Sequence, residues 1–361
     1  RYEMVDFLLN FKPDIVLIID HFRWQWPVIP KQLVYICWIQ DTMPHLFEPS
    51  SVKKLQELDF VLSLYQLDKI KYVGYSKECY IPGPIPANAS IYKKYALSEK
   101  EMKEFTTDIC IISNSGNAKD VMNTMIFSSF NTIANIEYAN KFKDLYNRVY
   151  DKIFDEIYHE KKSYFNINDA EKIFSDFLKM QNYIQMSVDE IKQSAFFFWS
   201  NVISAMYKDV IAIWLHERNY NFKLWGKAWI THPVLKKYSM GVAPNGETMS
   251  KILNASRVSI GFALNITLHP RIMESLFSGS LCIQNDLPAS DDWCSVRSFF
   301  KLGKELILFK SKKDLYAKID YFLSNEDERK RVVDAGCKKA LDSLTYEAVM
   351  QKTIETICER L

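Results

Sequence analysis

Short apolar runs recur along the chain, and each ends in polar residues or glycine. They form two series, at residues 14–20, 33–41, 59–64 and 79–84, and then at residues 108–116, 222–226, 258–264, 280–286 and 305–309. Strands that are covered on both faces of a parallel sheet have this almost continuous apolarity. Helical patterns alternate with the runs, which indicates βαβ units. The pattern therefore predicts an α/β fold with two facing, doubly wound parallel sheets.

The strand pattern is absent between about residues 118 and 218. Segments 141–160 and 189–217 instead place apolar and aromatic residues at helical spacing. We expect these aromatic side chains to lie in a core rather than to bind a ligand. The segment is predicted to be an all-helical insertion in the second domain, and an oligomer could form through it.

The two series of strands divide the chain into domains. We predict an N-terminal Rossmann-like domain over residues 1–105 and a C-terminal Rossmann-like domain over residues 106–343. A last helix, over residues 344–361, is predicted to pack back on the N-terminal domain. The first series opens with a helical segment, residues 2–11, although a doubly wound sheet normally opens with a strand. We therefore expect a further βα unit to precede Arg1.

Charge and cysteine usage narrow the function classes. The 46 Lys and Arg residues balance 44 Asp and Glu residues, so the chain lacks the basic footprint of a nucleic-acid-binding protein. No apolar run approaches the ~20 residues of a membrane-spanning helix. Seven cysteines, most of them inside apolar runs, favour a reducing, cytoplasmic setting. The six histidines show no metal-ligand spacing, so we predict neither a metal nor a cofactor.

Candidate chemistry lies where polar residues follow the strands, because ligands of open parallel sheets collect at that edge. Residues 265–286 are the most informative stretch. Pro270 suits the first position of a helix, and Gly279 suits the left-handed position after its last turn. The helix N-terminus would offer unpaired N–H groups to a diphosphate, with His269 and Arg271 as further donors beside it.

Glu274 follows Arg271 by three residues, so both side chains can share one face of this helix. A carboxylate at this position could accept hydrogen bonds from two ribose hydroxyls while phosphates occupy the helix N-terminus. The alternative is an ion pair between the two side chains, worth a few tenths of a kcal/mol at the surface. The residue types alone do not decide between the two.

Two further loops follow strands. Ser115 and Gly116 lie in one of them, where small residues permit close approach of the backbone to a phosphate or a sugar, and an ordinary turn is the alternative. Gly226 and Lys227 lie in the other, and the lysine could neutralise a phosphate or simply be solvated. Together with Gly279, these residues are our candidates for the donor site.

Two aspartates end strands of the first series. Asp20 follows the first run and Asp41 follows the second. At the carboxyl edge of the sheet, either carboxylate could act as a general base on a hydroxyl. The alternative for Asp41 is that it caps the turn after it.

The C-terminal third resembles a known family. Its pieces are an Arg-hydrophobic-x-Glu helix at Arg271–Glu274 that ends in Gly279, a GKEL strand start at 303–306, an acidic helix at 314–323, an Asn-x-Glu-x-Arg-like turn at 325–329, Ala335-Gly336 and Thr345-Tyr346. LWGKAW at 224–229 and, less specifically, WIQDTMP at 38–44 add to them. These pieces resemble the glycosyltransferases that are similar to the spore maturation protein CgeB, which have the GT-B fold. The resemblance is good over about residues 220–350.

The resemblance implies transfer of a sugar from a nucleotide-sugar donor on the second domain to an acceptor on the first, without an obligatory metal. It implies that Glu274 takes the ribose and Arg271 the diphosphate. Many GT-B enzymes have another glutamate eight residues before the ribose-binding one, where this chain has Ile266. Asn265 or His269 is expected to face the donor sugar instead, and Thr267 is assigned to the donor as well.

We therefore expect a hexosyltransferase-type enzyme. Arg271, Lys227 and backbone N–H groups would stabilise the leaving diphosphate. Asp41, Asp20 and His269 are the catalytic candidates. A non-catalytic protein that binds a sugar nucleotide or acts as a scaffold, and an epimerase or hydrolase of sugar nucleotides, are the alternatives. The donor, the acceptor (a glycan, a protein or a small molecule) and the stereochemical course stay open.

Overall fold

The computed structural model describes residues 2–41, 43–65, 67, 72–114, 116–130, 136–162, 164–180, 185–264, 268–287 and 294–361. These residues form two parallel β-sheets with helices on their faces. All nine strands that the apolar runs predict are present, with ends that differ by a few residues. The α/β prediction with two parallel sheets is therefore confirmed. Within the described residues, no helix combines the length and the apolarity that a membrane crossing needs.

The first sheet contains four parallel strands in the order β1-β2-β3-β4. The strands are β1 (Ile15–Ile19), β2 (Val34–Ile39), β3 (Asp59–Ser63) and β4 (Tyr80–Pro82), and helices α1 (Tyr2–Phe11) and α2 (Pro49–Val52) lie between or before them. Helix α3 (Glu99–Phe105) follows and packs on the second sheet, where the ring of Phe105 lies edge-on to Trp225. A buried ion pair ties the loop after β1 to β3, because Arg23 Nε donates to Asp59 Oδ1 at 2.5 Å. Arg23 also donates to the carbonyls of Pro30 and Leu33, so the guanidinium cross-links the connection between β1 and β2.

The second sheet contains five parallel strands in the order β6-β5-β7-β8-β9. The strands are β5 (Thr107–Ile112), β6 (Phe222–Trp225), β7 (Ser256–Gly261), β8 (Leu281–Asn285) and β9 (Ile307–Phe309). β5 lies between β6 and β7, so the loops after these three strands meet at one edge. This edge is where the candidate loops of the sequence come together.

The described residues between β5 and β6 form helices. They are α4 (Ala118–Phe130), α5 (Ile136–Tyr158), α6 (Ile167–Met180), α7 (Val188–Phe197) and α8 (Ser204–Glu217), with a π-helical stretch at Phe198–Ile203. Tyr146, Phe174 and Phe198 pack edge to face or tilted, with ring centroids 5.2 to 6.2 Å apart, and all three are buried. These aromatic rings form a core, as the helical spacing predicted. That the segment is an insertion relative to other proteins of this fold stays a prediction.

The remaining helices are α9 (Glu247–Asn254), α10 (Pro270–Phe277), α11 (Val296–Phe299), α12 (Lys312–Ser324), α13 (Glu326–Ser343) and α14 (Tyr346–Arg360). The last one returns to the first sheet. Val349 and Ile357 pack with apolar residues of β2, β3 and β4, and the ring of Tyr346 lies edge-on to Trp38 at 5.7 Å.

The chain crosses from one sheet to the other twice. The first passage follows β4, and the second precedes α14. The two passages contact each other, because Ala87 N donates to Leu344 O at 3.1 Å and Ala87 forms an isolated parallel bridge with Thr345.

Candidate active site

A cavity of about 200 Å³ opens at the carboxyl edge of the second sheet. The ends of β5, β7 and β8, the N-terminus of α10 and one side of α8 enclose it. Its lining residues are Ile111, Ile112, Ser113, Asn114, Lys208, Ile211, Ile260, Gly261, Phe262, His269, Arg271 and Gln284. Ligands of open parallel sheets bind at this edge, so the cavity is the candidate active site.

The helix that the sequence predicts after His269 is present as α10. His269 is its N-cap, and His269 Nδ1 accepts a hydrogen bond from Arg271 N at 3.1 Å. Pro270 is the first helical residue, where its missing N–H costs nothing. Gly279 has a φ of +89° beyond the last turn, as predicted. Because α10 has eight residues and rises about 12 Å, Gly279 lies at the far end from the cavity.

Arg271 and Glu274 form an ion pair in this structure. Arg271 Nη1 lies 2.8 Å from Glu274 Oε2, and the two side chains are 23% and 14% exposed. The same guanidinium nitrogen also contacts the sulfur of Met249. Burial raises the pKa of Glu274, and the charge of Arg271 opposes this rise. Arg271 lines the cavity, whereas Glu274 lies one turn further along the helix, so its assignment to a ribose stays a prediction.

His269 is neutral near pH 7. Desolvation of the ring by the protein around it lowers its pKa to about 4, and the positive charges of Arg271 and Lys208 act in the same direction. A neutral imidazole whose Nδ1 caps a helix has Nε2 left to bind a ligand. His269 can thus offer one polar ring atom to a substrate without adding charge.

Lys208 and Asp209 of α8 were not among the residues singled out from the sequence. Lys208 lines the cavity, and burial lowers its pKa to about 8. Asp209 is buried and accepts hydrogen bonds from Asn117 N and Ala118 N, both at 2.7 Å, at the start of α4. Burial raises the pKa of Asp209 to about 7. The signal in the sequence was a Lys-Asp pair inside an apolar helical run, at 205–215.

The glycines that we assigned to the donor have packing roles in the structure. Gly226 has a φ of +143°, and a Cβ there would lie 1.9 Å from the carbonyl oxygen of Ser113. A Cβ on Gly116 would lie 2.8 Å from the ring of Trp229. Both glycines therefore let the loop after β6 approach the loop after β5. Lys227 is exposed and is not part of the cavity lining.

The two aspartates of the first sheet have different surroundings. Asp20 is 5% exposed, and its Oδ1 accepts hydrogen bonds from Gln40 N at 2.7 Å and Asp41 N at 3.1 Å. Asp20 thereby fixes the end of β2. The carboxylate of Asp41 is exposed, and the turn after it, Pro44–Phe47, has Met43 as its N-cap. Asp41 thus lies two residues before the N-cap of this turn and accepts a backbone hydrogen bond of 2.9 Å from Met43 N through its carbonyl oxygen.

Three of the predicted donor residues, Ser115, Asn265 and Thr267, lie outside the described residues. Within the part of the chain that the structure describes, no group of three or more His, Cys, Asp or Glu side chains is arranged to hold a metal ion. The polar side chains on the cavity wall are instead two cations, two amides, a serine hydroxyl and the neutral imidazole of His269, beside the N-terminus of α10.

Comparisons with known proteins add to this geometry. Residues 209–355 match the model of a family described as glycosyl transferase-like. No curated protein matches the chain in sequence. The crystal structure of a glycosyltransferase from Rickettsia africae ESF-5 is similar over 99% of this chain and 80% of that protein, with a TM-score of 0.50 and 9% identity. A structure of Anabaena HepE in complex with UDP and glucose has a TM-score of 0.47 at 9% identity, over 99% of this chain and 81% of HepE.

The family match covers α8 from Asp209 onward, all the strands of the second sheet except β5, and the helix that begins at Pro270. At 9% identity, the similarity to the Rickettsia protein shows the fold alone. The narrower resemblance to CgeB-like proteins stays a prediction. Residues 209–355 are thus glycosyl transferase-like in sequence, and the whole chain has the two-sheet GT-B fold of the Rickettsia enzyme.

Proposed function

We propose that this protein is a glycosyltransferase that moves a sugar from a nucleotide-sugar donor to an acceptor hydroxyl. The observation that carries the proposal is the cavity at the edge of the second sheet, where two cationic side chains, Arg271 and Lys208, line a wall beside a helix N-terminus. This combination suits a diphosphate, since helix N-termini and arginines bind phosphate oxygens. The family match includes Arg271 and begins at Asp209, the residue after Lys208.

The chemistry follows from the charge that develops when the sugar leaves the diphosphate. Arg271, the Lys208 ammonium and the N–H groups of α10 would stabilise that charge, which is the role of a metal in other transferases. On this proposal the reaction needs no metal. Binding would also separate the Arg271–Glu274 pair, so that the guanidinium turns to phosphate and the carboxylate of Glu274 becomes free for ribose hydroxyls.

The remaining candidates have roles on either side of the reacting bond. His269, which is neutral at pH 7, would hydrogen-bond the donor sugar through Nε2. Asp41 ends a strand of the first sheet with an exposed carboxylate, and we assign it as the base that activates the acceptor hydroxyl if the reaction inverts. Asp20 would hold Asp41 in place through its hydrogen bond to Asp41 N.

Titration calorimetry with UDP, GDP, CMP, dTDP and ADP, each with and without EDTA, tests the donor site. We expect one nucleotide to bind with an affinity that EDTA leaves unchanged. Arg271→Ala should weaken this binding by about 1.5–3 kcal/mol, the usual value of a hydrogen bond to a charged group. Arg331→Ala is the matched control, because that arginine is 74% exposed and pairs only on the surface, with Glu328.

Three outcomes would contradict parts of the proposal. Binding of no nucleotide would favour a scaffold protein. Binding that Arg271→Ala leaves unchanged would place the diphosphate elsewhere. Turnover of the bound nucleotide sugar without any acceptor, seen by product analysis, would identify an epimerase or a hydrolase instead of a transferase.

A further inference from the structure

The first passage between the sheets, residues 83–98, is fastened to α9 and to the end of α10. Lys93 N donates a hydrogen bond to Ser250 Oγ at 3.0 Å, and Ser250 Oγ donates one to Lys93 O at 2.8 Å. Ser278 Oγ lies 2.9 Å from Ser250 Oγ, and both serines are fully buried. The backbone of the passage therefore has a fixed position beside α10 before any ligand binds.

Tyr92 precedes Lys93 in this passage and reaches the helix that carries the proposed donor residues. Its side chain is 8% exposed and belongs to the same apolar cluster as Ile272 of α10. Its hydroxyl oxygen accepts a hydrogen bond from Gly246 N at 3.4 Å. Burial and the nearby negative charge of Glu274 raise the pKa of Tyr92, so the hydroxyl keeps its proton.

The Glu274 carboxylate interacts with two polar side chains of the described residues. One is Arg271, in the ion pair of 2.8 Å. The other is Tyr92. Burial raises the pKa of Glu274, and both the charge of Arg271 and a hydrogen bond from the Tyr92 hydroxyl oppose this rise. The carboxylate is thus held from two sides, by a charged group and by a neutral one.

A bound donor affects these two partners differently. Arg271 lines the cavity and would turn to the diphosphate, whereas Tyr92 is not part of the cavity lining. Glu274 is 14% exposed, and a carboxylate at such a site is costly once its counter-charge is withdrawn. The hydrogen bond from Tyr92 does not depend on the diphosphate. A carboxylate has about four lone-pair sites, so this bond leaves room for two ribose hydroxyls.

We propose that Tyr92 is a positioning residue for the donor ribose, which holds the Glu274 carboxylate towards the ribose hydroxyls while Arg271 binds the diphosphate. The proposal rests on the proposed function, because it needs a nucleotide in the first cavity. Tyr92 lies outside residues 209–355, the part that matches the glycosyl transferase-like family. The connection between the sheets thereby contributes to the donor site.

Titration calorimetry with UDP, GDP, ADP and CMP, with the 2′-deoxy form of each, and with dTDP tests the proposal. We expect one ribonucleotide to bind about ten- to a hundredfold more tightly than its 2′-deoxy form, which lacks a hydrogen bond to a charged group. Tyr92→Phe keeps the ring in its apolar surroundings and removes only the hydroxyl. It should lower the ratio of the two affinities about three- to tenfold, and Glu274→Gln should lower the ratio as well.

Tyr95→Phe is the matched control. Tyr95 lies in the same passage, and its hydroxyl donates to Ile91 O at 2.9 Å, so this variant should keep the ratio of the wild type. The ratio separates positioning from a merely structural role, because a loosened fold would weaken the binding of both forms alike.

Each other outcome overturns a defined part. If Glu274→Gln lowers the ratio and Tyr92→Phe does not, or if Tyr92→Phe weakens both forms equally, the positioning role of Tyr92 is wrong while the proposed function stands. If the wild type binds both forms of a nucleotide equally, or binds dTDP alone, the ribose role of Glu274 is wrong and that of Tyr92 with it. Absence of binding by every nucleotide refutes the proposed function itself.

Discussion

Gly226→Ala should damage both the stability of the second sheet and the cavity at its edge. Gly226 has φ +143° and ψ +155°, a region that is almost restricted to glycine, and a side chain there costs about 1–3 kcal/mol. The new Cβ would also lie 1.9 Å from Ser113 O. Real contacts of this kind are longer by more than about 1 Å, so the loop after β5 must shift, and overpacking of this kind costs another ~1–3 kcal/mol.

The combined loss is about 2–6 kcal/mol, the sum of these two ranges. For a domain of this size, each kcal/mol lowers the Tm by about 2–4 °C. Calorimetry should therefore show a fall of about 4 °C or more. Because Ser113 and Asn114 line the cavity, the affinity for the bound nucleotide should fall as well.

Gly303→Ala separates the two causes. Gly303 has a φ of +80°, but a Cβ there meets nothing within 4 Å, so this variant carries backbone strain without the collision. Its Tm should fall less, and its nucleotide affinity should not change. If Gly226→Ala is no less stable than Gly303→Ala, or if it binds nucleotide like the wild type, the packing role that we assign to Gly226 is wrong.

Three further outcomes are expected. Asp59→Ala leaves the buried Arg23 charge without its partner and should cost about 3–5 kcal/mol in urea unfolding, whereas a loss below 1 kcal/mol would contradict the burial of the pair. The folded-state pKa of His269 is lowered to about 4, so the unfolded chain binds a proton at a higher pH than the folded chain does. The free energy of unfolding should therefore fall as the pH drops from about 6.5 towards 4. His269→Gln should flatten this dependence, and NMR titration of the His269 ring in the wild type gives the pKa directly. Lys208→Met should weaken nucleotide binding in calorimetry by about 1.5–3 kcal/mol. Lys227→Met, at an exposed lysine, should leave the binding unchanged. Equal effects of the two variants would refute the placement of the phosphates beside Lys208.

The strands could be predicted because a strand that is buried on both faces is apolar at almost every position. β2 is apolar at every position, and Gln40 and Asp41 after it are polar. The start and end of α10 were also readable, since Pro270 and Gly279 each suit one backbone position. Signals of this kind are local, and the residues that cause them are neighbours in the sequence.

The wall of the cavity could not be predicted in the same way. Asp209 caps α4 through Asn117, which lies 92 residues earlier in the chain, and no local pattern encodes such a contact. A lysine in a helix is usually solvated, so Lys208 gave little signal. Gly116 and Gly226 were noticed, but the sequence could not show that a tryptophan ring and a carbonyl oxygen, rather than a ligand, occupy the space beside them.

The contact between the two passages of the chain has a mechanical consequence. Two covalent connections run from one sheet to the other, and Ala87 joins them through Leu344 and Thr345. A single connection would leave the two halves free to swing and twist, whereas a paired connection acts as a hinge with one soft axis. We therefore expect bending about the paired connections to be easier than twisting of one sheet against the other.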